Sequence, residues 1–159
     1  MENRITKVSD IFGYVFDDKM RCIEALQMDG QPLYLDGSWV NVPKNNRLAV
    51  LGDAILDATL CKLWYRASDA YGPRPARDWS SARNEVLGNG ALYVRGESLG
   101  LGPLILVNLG HGNGPVSPKM MATTFEAMFG AIYMDGGEEA VLKTVKYLGL
   151  DNHPSLMVT

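Results

Sequence analysis

Asp53 and Glu126 are the residues best placed for chemistry, because each sits where its surroundings ask for a core side chain. Asp53 lies in Leu48-Ala49-Val50-Leu51-Gly52-Asp53-Ala54-Ile55-Leu56-Asp57-Ala58-Thr59-Leu60-Cys61, and Glu126 in Met120-Met121-Ala122-Thr123-Thr124-Phe125-Glu126-Ala127-Met128-Phe129-Gly130-Ala131-Ile132-Tyr133. Both stretches are apolar on nearly every helical face, and a helix of that kind is expected to be buried. A carboxylate inside one must be ion-paired, bound to a metal, or kept neutral by a raised pKa. Two such acids from distant segments are the material for one shared site holding a divalent cation. Spacing alone leaves a second reading open, in which each acid is capped locally within the core.

The words around the acids say more. Asn46-Arg47-Leu48-Ala49-Val50-Leu51-Gly52-Asp53-Ala54 resembles the signature of the ribonuclease III family, Glu-Arg-Leu-Glu-Phe-Leu-Gly-Asp followed by Ala or Ser. Ala122-Thr123-Thr124-Phe125-Glu126-Ala127, continued by Gly130-Ala131-Ile132-Tyr133-Met134-Asp135-Gly136-Gly137, is similar to the family's second word. Between them, Arg83, Val86-Leu87-Gly88-Asn89 and Leu99-Gly100-Leu101-Gly102 resemble its middle stretch, and Tyr14-Val15-Phe16 through Ala25-Leu26 its opening helix. The likeness runs from about Tyr14 to Leu148 with the segments in the family's order. It implies an all-α fold of ribonuclease III type, dimeric about a twofold axis, that cleaves double-stranded RNA at a four-carboxylate magnesium cluster.

Two of the four implied acids are replaced. Asp53 and Glu126 stand at two cluster positions, while Ala49, one turn before Asp53, and Thr123, three before Glu126, stand where the family has Glu and Asp. Magnesium takes oxygen ligands in near-octahedral geometry and commonly keeps several waters beside one or two carboxylates. A single weak Mg2+ or Mn2+ on Asp53 and Glu126 is therefore conceivable, but a pair of metals about 4 Å apart is hard to build from two acids. Thr123 offers a neutral hydroxyl and Ala49 offers nothing. Asp57 continues the row Ala49, Asp53, Asp57 along one helical face, but relatives with intact sites often carry Asp there, so it reads as an ordinary feature. His111, in Gly110-His111-Gly112-Asn113-Gly114, reads as a solvated loop residue. Arg83 and Asn89 are expected to place RNA or support the acids. Val50 stands where an aromatic residue commonly packs into the partner subunit, and it is a smaller knob.

Composition bounds these readings. The 159 residues, 47% hydrophobic, suffice for one core and are read as one domain over residues 1–159. Cys22 and Cys61 show no zinc or disulfide spacing, so a reducing compartment is expected. No apolar run has the length of a membrane span. The first twenty residues carry neither a secretory signal nor an Arg-rich transit pattern. An intracellular setting follows, cytoplasmic or nuclear, with the mitochondrion left open. A net charge of -3 is unlike a domain that grips a duplex alone. Lys62, Arg66, Arg74, Arg77, Arg83 and Arg95 face Asp69, Asp78, Glu85 and Glu97, which reads as a mixed-charge surface. The double-stranded-RNA-binding domain that the family often appends is not recognisable here. RNA binding is thus expected from this domain, its dimer or a partner.

The elements that must position the acids read as helices throughout. Asp17 is expected to cap a helix holding Met20, Ile23 and Leu26, with Gly30, Pro32, Asp36-Gly37 and Pro43 marking a long loop over 30–44. A central helix follows over about 45–67, and another from Asp78 to about Ser98. Ser117 before Pro118 makes an N-cap with proline at the first helical position, opening the second acid-bearing helix. Glu138 and Glu139 begin a last helix that Gly149 ends. Two functional expectations stay open. One is an endoribonuclease with weakened or lost metal-dependent activity. The other is a non-catalytic structural or RNA-binding module, ribosome-associated or paired with an active relative, as homodimer or heterodimer.

Overall fold

A computed structural model describes residues 1–112 and 114–159, with the backbone alone of Leu109. Asn113, part of the Gly-rich loop read above, lies outside the described residues. Helix α1 (Glu2–Phe12) buries Ile5, Val8 and Phe12 and stops at Gly13 in the left-handed region. Helix α2 (Lys19–Leu26) begins where the Asp18 side chain accepts from the Met20 N–H. Strands β1 (Leu33–Leu35) and β2 (Ser38–Val40) pair antiparallel in a hairpin. Helix α3 (Asn46–Arg66) follows, then the two-residue strands β3 (Ser68–Asp69) and β4 (Gly72–Pro73), helices α4 (Ala76–Leu87) and α5 (Asn89–Leu99), and helix α6 (Pro118–Leu148). Single 3-10 turns occupy Gly102–Leu104, Leu109–His111 and Pro154–Leu156. Among the described residues no helix is long and apolar enough to cross a membrane.

The core forms around α6, against which α2, α3 and α5 pack. From Met121 to Ile132 every residue of α6 is buried except Thr123 and Glu126. Phe125 and Phe129 stack with Phe12 of α1, at centroid separations of 5.4 and 6.0 Å. Helix α3 buries Leu48, Ala49, Gly52, Leu56 and Leu60 at a spacing of three to four, so one stripe faces α6. Its backbone meets that of α6 through glycines. A Cβ on Gly52 would collide with the Glu126 carbonyl, and one on Gly130 with the Leu48 carbonyl.

The all-α class holds, with several local corrections. Residues 30–44 are not only loop. Asp36 and Gly37 both take positive φ, 49° and 86°, and close a two-residue turn whose twist suits paired strands. The span read as one helix from Asp78 to Ser98 is two helices, broken at Gly88, where ψ is 150°. Asp18, not Asp17, caps α2; the Asp17 N–H instead donates to Asp135 at 2.8 Å. Helix α1 precedes the segment expected to open the fold. Helix α3 is not buried all round, since Val50 and Tyr65 are 74% and 79% exposed and Ala54 and Ala58 are open to solvent beside them. Helix α6 is the element that takes up the enclosed position. Its two segments, read as separate helices, run together across a break at Gly137 (φ 78°, ψ −170°).

Candidate functional site

The glycine contact decides which side chains meet. Gly52 rests on the Glu126 carbonyl, so Asp53, the next residue, is carried to the Glu126 side chain. The two carboxyls lie within hydrogen-bonding reach of each other. Glu126 is pushed up to about 7, first by burial, then by the Asp53 charge and the hydrogen bond between the two acids, with Asp57 adding and Arg83 opposing. Glu126 therefore takes up a proton more readily than an exposed glutamate does. Of the readings open for a buried acid, a raised pKa is the one that fits Glu126. Asp53 is half exposed, at 47%, and is not a core residue. It stands where the buried stripe of α3 gives way to the open face.

Arg83 closes the cluster from α4. Its Nη2 lies 3.5 Å from Asp53 Oδ1 and its Nε 2.9 Å from Asp57 Oδ1. Asp57 sits one turn beyond Asp53, so one guanidinium spans both acids of the row. Asp57 Oδ1 is sealed from solvent, and the angle to Nε falls outside hydrogen-bond geometry, leaving the ion pair as its compensation. Burial raises the Asp57 pKa, the close contact with the Arg83 guanidinium and its charge lower it, and Asp53 raises it again. The row Asp53, Asp57 is legible in sequence. The link from Asp57 to Arg83 is not, because it crosses between helices. Asn45 was also missed as an anchor. This buried side chain donates to the Ala25 carbonyl at 2.9 Å and to Thr124 Oγ1 at 3.2 Å, tying the start of α3 to α2 and α6.

The other sequence candidates scatter. Ala49 is buried one turn before Asp53, and Thr123 is half-buried one turn before Glu126. Asn89 is exposed at the start of α5 and, among the described residues, forms no hydrogen bond with the cluster. His111 contacts the Gly114 carbonyl through Nε2 at 3.2 Å, within its own loop. Several of the cations between α3 and α5 are engaged within the fold. Arg74 pairs with Asp69 and Asp78, and Arg95 donates to the Leu148 carbonyl at the end of α6.

Residues 46–137, which hold both acid-bearing stretches and Arg83, match the family model described as the ribonuclease III domain. The chain belongs to the ribonuclease III family. Ribonuclease 3 of Syntrophotalea carbinolica is 28% identical over 143 residues, covering 89% of this chain and 60% of that protein. Ribonuclease 3 of Anaplasma marginale is 33% identical over 137 residues, covering 84% of this chain and 55% of that protein. This ribonuclease III chain thus spans little more than half the length of these relatives. Two solved structures of the nuclease domain of ribonuclease III from Campylobacter jejuni superpose with a TM-score of 0.74 each. They are 25% and 29% identical, cover 93% and 97% of this chain, and are themselves covered to 96% and 98%.

Ribonuclease III enzymes are generally dependent on a divalent metal, and the donors here do not suit one. Among the described residues no group of three or more Asp, Glu, His or Cys side chains gathers at metal-binding spacing. Asp53 faces a guanidinium, Glu126 leans toward its protonated form, and Ala49 supplies no oxygen. A hard, strongly hydrated ion gains little from such a set.

Proposed function

We propose that this ribonuclease III domain engages duplex RNA as a dimer, with the family's metal-dependent cleavage weakened or lost. The observation that carries the reading is that Asp53 and Glu126 stand together with Ala49 and Thr123 beside them in place of two further acids. Asp53 and Glu126 are the residues that catalysis and metal binding would need; Arg83 supports the acids, and Asn89, exposed at the start of α5, is open to a phosphate backbone. The open face of α3, with Val50, Ala54, Ala58 and Tyr65, supports a dimer, since an exposed apolar stripe marks an interaction surface. One of the Campylobacter structures is described as showing flexibility in the region involved in dimer formation. The free cysteines and an RNA ligand suit an intracellular setting.

The test is an assay on long duplex RNA with magnesium or manganese, read for binding and cleavage together. Binding that weakens steadily with salt, with cleavage absent or reduced to a trace that Asp53→Asn abolishes, is the expected result. Cleavage at the rate of a four-acid relative would overturn it. A second reading, favoured by the same α3 face, makes the chain a partner of an active relative. It requires that mixing the two proteins yields a heterodimer tighter than this chain's homodimer.

A further inference from the structure

We propose that Arg83, tethered by Asp57, is the resident cation of this site and occupies Asp53 in place of a divalent metal. The inference rests on the reading that metal-dependent cleavage is weakened or lost. Its basis is geometric. A guanidinium is charged at every accessible pH and presents donors along two edges, so it can face two carboxylates at once. Here Nε faces Asp57 at 2.9 Å and Nη2 reaches Asp53 at 3.5 Å. Asp57 Oδ1 is cut off from water and, among the described residues, has only this guanidinium beside it, so losing the arginine would leave that oxygen uncompensated while the rest of the carboxylate stays open to solvent.

The helix that carries Arg83 is held on both sides of it. Asp78, at the start of α4, lies 3.9 Å from Arg74, and Glu85, two residues beyond Arg83, meets His153 Nε2 at 2.6 Å. The guanidinium is therefore preorganised over the acids. A metal ion approaching Asp53 competes with a cation attached to the same fold and must also displace its own hydration shell. Asp57 is accordingly a positioning residue: it acts on Asp53 through Arg83.

The native chain, Arg83→Gln and Asp57→Asn should be titrated with Mn2+, following the signal of free Mn2+ by electron paramagnetic resonance. Melting temperatures should be taken in chelator and in excess Mn2+. The native chain is expected to bind no Mn2+ and to melt identically in both. Arg83→Gln is expected to melt lower in chelator, to bind Mn2+, and to regain about 3–5 °C with it. Asp57→Asn keeps the guanidinium but removes its tether, and should show a smaller gain. If Arg83→Gln fails to fold, Asp57→Asn decides by the same readings. Stoichiometric Mn2+ binding by the native chain, or none by any folded variant, would overturn the proposal. Mn2+ binding by the native chain without cleavage sinks the role of Arg83 alone, whereas cleavage by the native chain at a normal family rate sinks the reading on which it rests.

Discussion

Helix α6 carries two acids nine residues apart that live in opposite conditions. Asp135 has its side chain only 2% exposed, yet it is fully served: Tyr14 Oη donates at 2.6 Å, the Asp17 and Asp18 N–H groups at 2.8 and 3.0 Å, and Arg21 Nε lies 3.5 Å away. Burial pulls its pKa up, but the hydrogen bonds from Tyr14, Asp18 and Asp17 and the charge of Arg21 outweigh it and hold the carboxyl below the usual Asp range. Glu126 has another acid, Asp53, beside it, and its pKa moves the other way. Burial raises both; around Asp135 the donors reverse it, and around Glu126 they do not. An acid that folds the chain is given N–H and O–H groups, whereas a site acid is left short of them and must draw compensation from a proton or a cation.

The sharpest way to break that contrast is to remove the served acid. Asp135→Ala orphans Tyr14 Oη and two backbone N–H groups at the entry to α2, and should cost about 3 kcal/mol in denaturant unfolding. Because its folded pKa is lowered, the stability it contributes is complete above the ordinary Asp range and is lost as pH falls through the lowered value. A loss below about 1 kcal/mol would mean that the α1–α2 connection does not depend on this acid.

A second change deepens the other centre. Ala49→Glu with Thr123→Asp adds two acids to a cluster that already repels itself, and should lower stability in chelator by about 2–3 kcal/mol. If only ligands are missing, excess Mn2+ restores about 1–3 kcal/mol by linkage, and cleavage of duplex RNA returns in the double variant but in neither single one. No metal-dependent gain would show that the backbone around the site has drifted as well.

Relieving the unserved acid should have a smaller, pH-dependent effect. The folded pKa of Glu126 lies above its ordinary value of 4.5, at about 7, so the folded protein holds a proton that the unfolded chain releases. Native stability attributable to this group is therefore full at low pH and falls as pH rises from about 4.5 to about 7. Glu126→Gln, which is neutral throughout, should be more stable than the native chain at pH 8 by about 1 kcal/mol once solvent screening is allowed for, with little difference at pH 4. An equal effect at both pH values would point to packing and not to charge. The smallest expected effect on the monomer is Val50→Glu on the open face of α3, within about 0.5 kcal/mol. Its readout is assembly: sedimentation should show the dimer dissociating, and an unchanged mass would remove that face from the interface.

The sequence made the two acid-bearing words, the Ser117 cap of α6 and the Gly149 stop legible, because each depends on residues a few positions apart. It also brought Asp53 and Glu126 forward as a pair, through the family order of the words. What it hid was lateral. The exposure of Val50 follows from α6 taking the centre of the core, which no local pattern in α3 records. The reach of Arg83 to Asp57 and the hold of Asn45 on Ala25 and Thr124 join segments from different helices. The β1–β2 turn was a different kind of miss. Asp36-Gly37 between Leu33-Tyr34-Leu35 and Ser38-Trp39-Val40 is a hairpin signal, obscured by the prolines on either side. Helix α1, with Ile5, Val8 and Phe12 at helical spacing, was equally open to the period argument.

The glycine contact between α3 and α6 bears on how such a chain can change over generations. Gly52 and Gly130 each meet a carbonyl of the opposite helix, so a methyl group at either position has no flexible neighbour to push aside. The positions of the missing acids are different: Ala49 and Thr123 are side-chain choices on a backbone whose spacing the glycines keep. The glycines cannot be exchanged without parting the helices, whereas a change of side chain at Ala49 or Thr123 leaves that backbone contact in place. A lineage released from cutting RNA would shed the first kind of residue and keep the second, and what it kept would still read as the same fold.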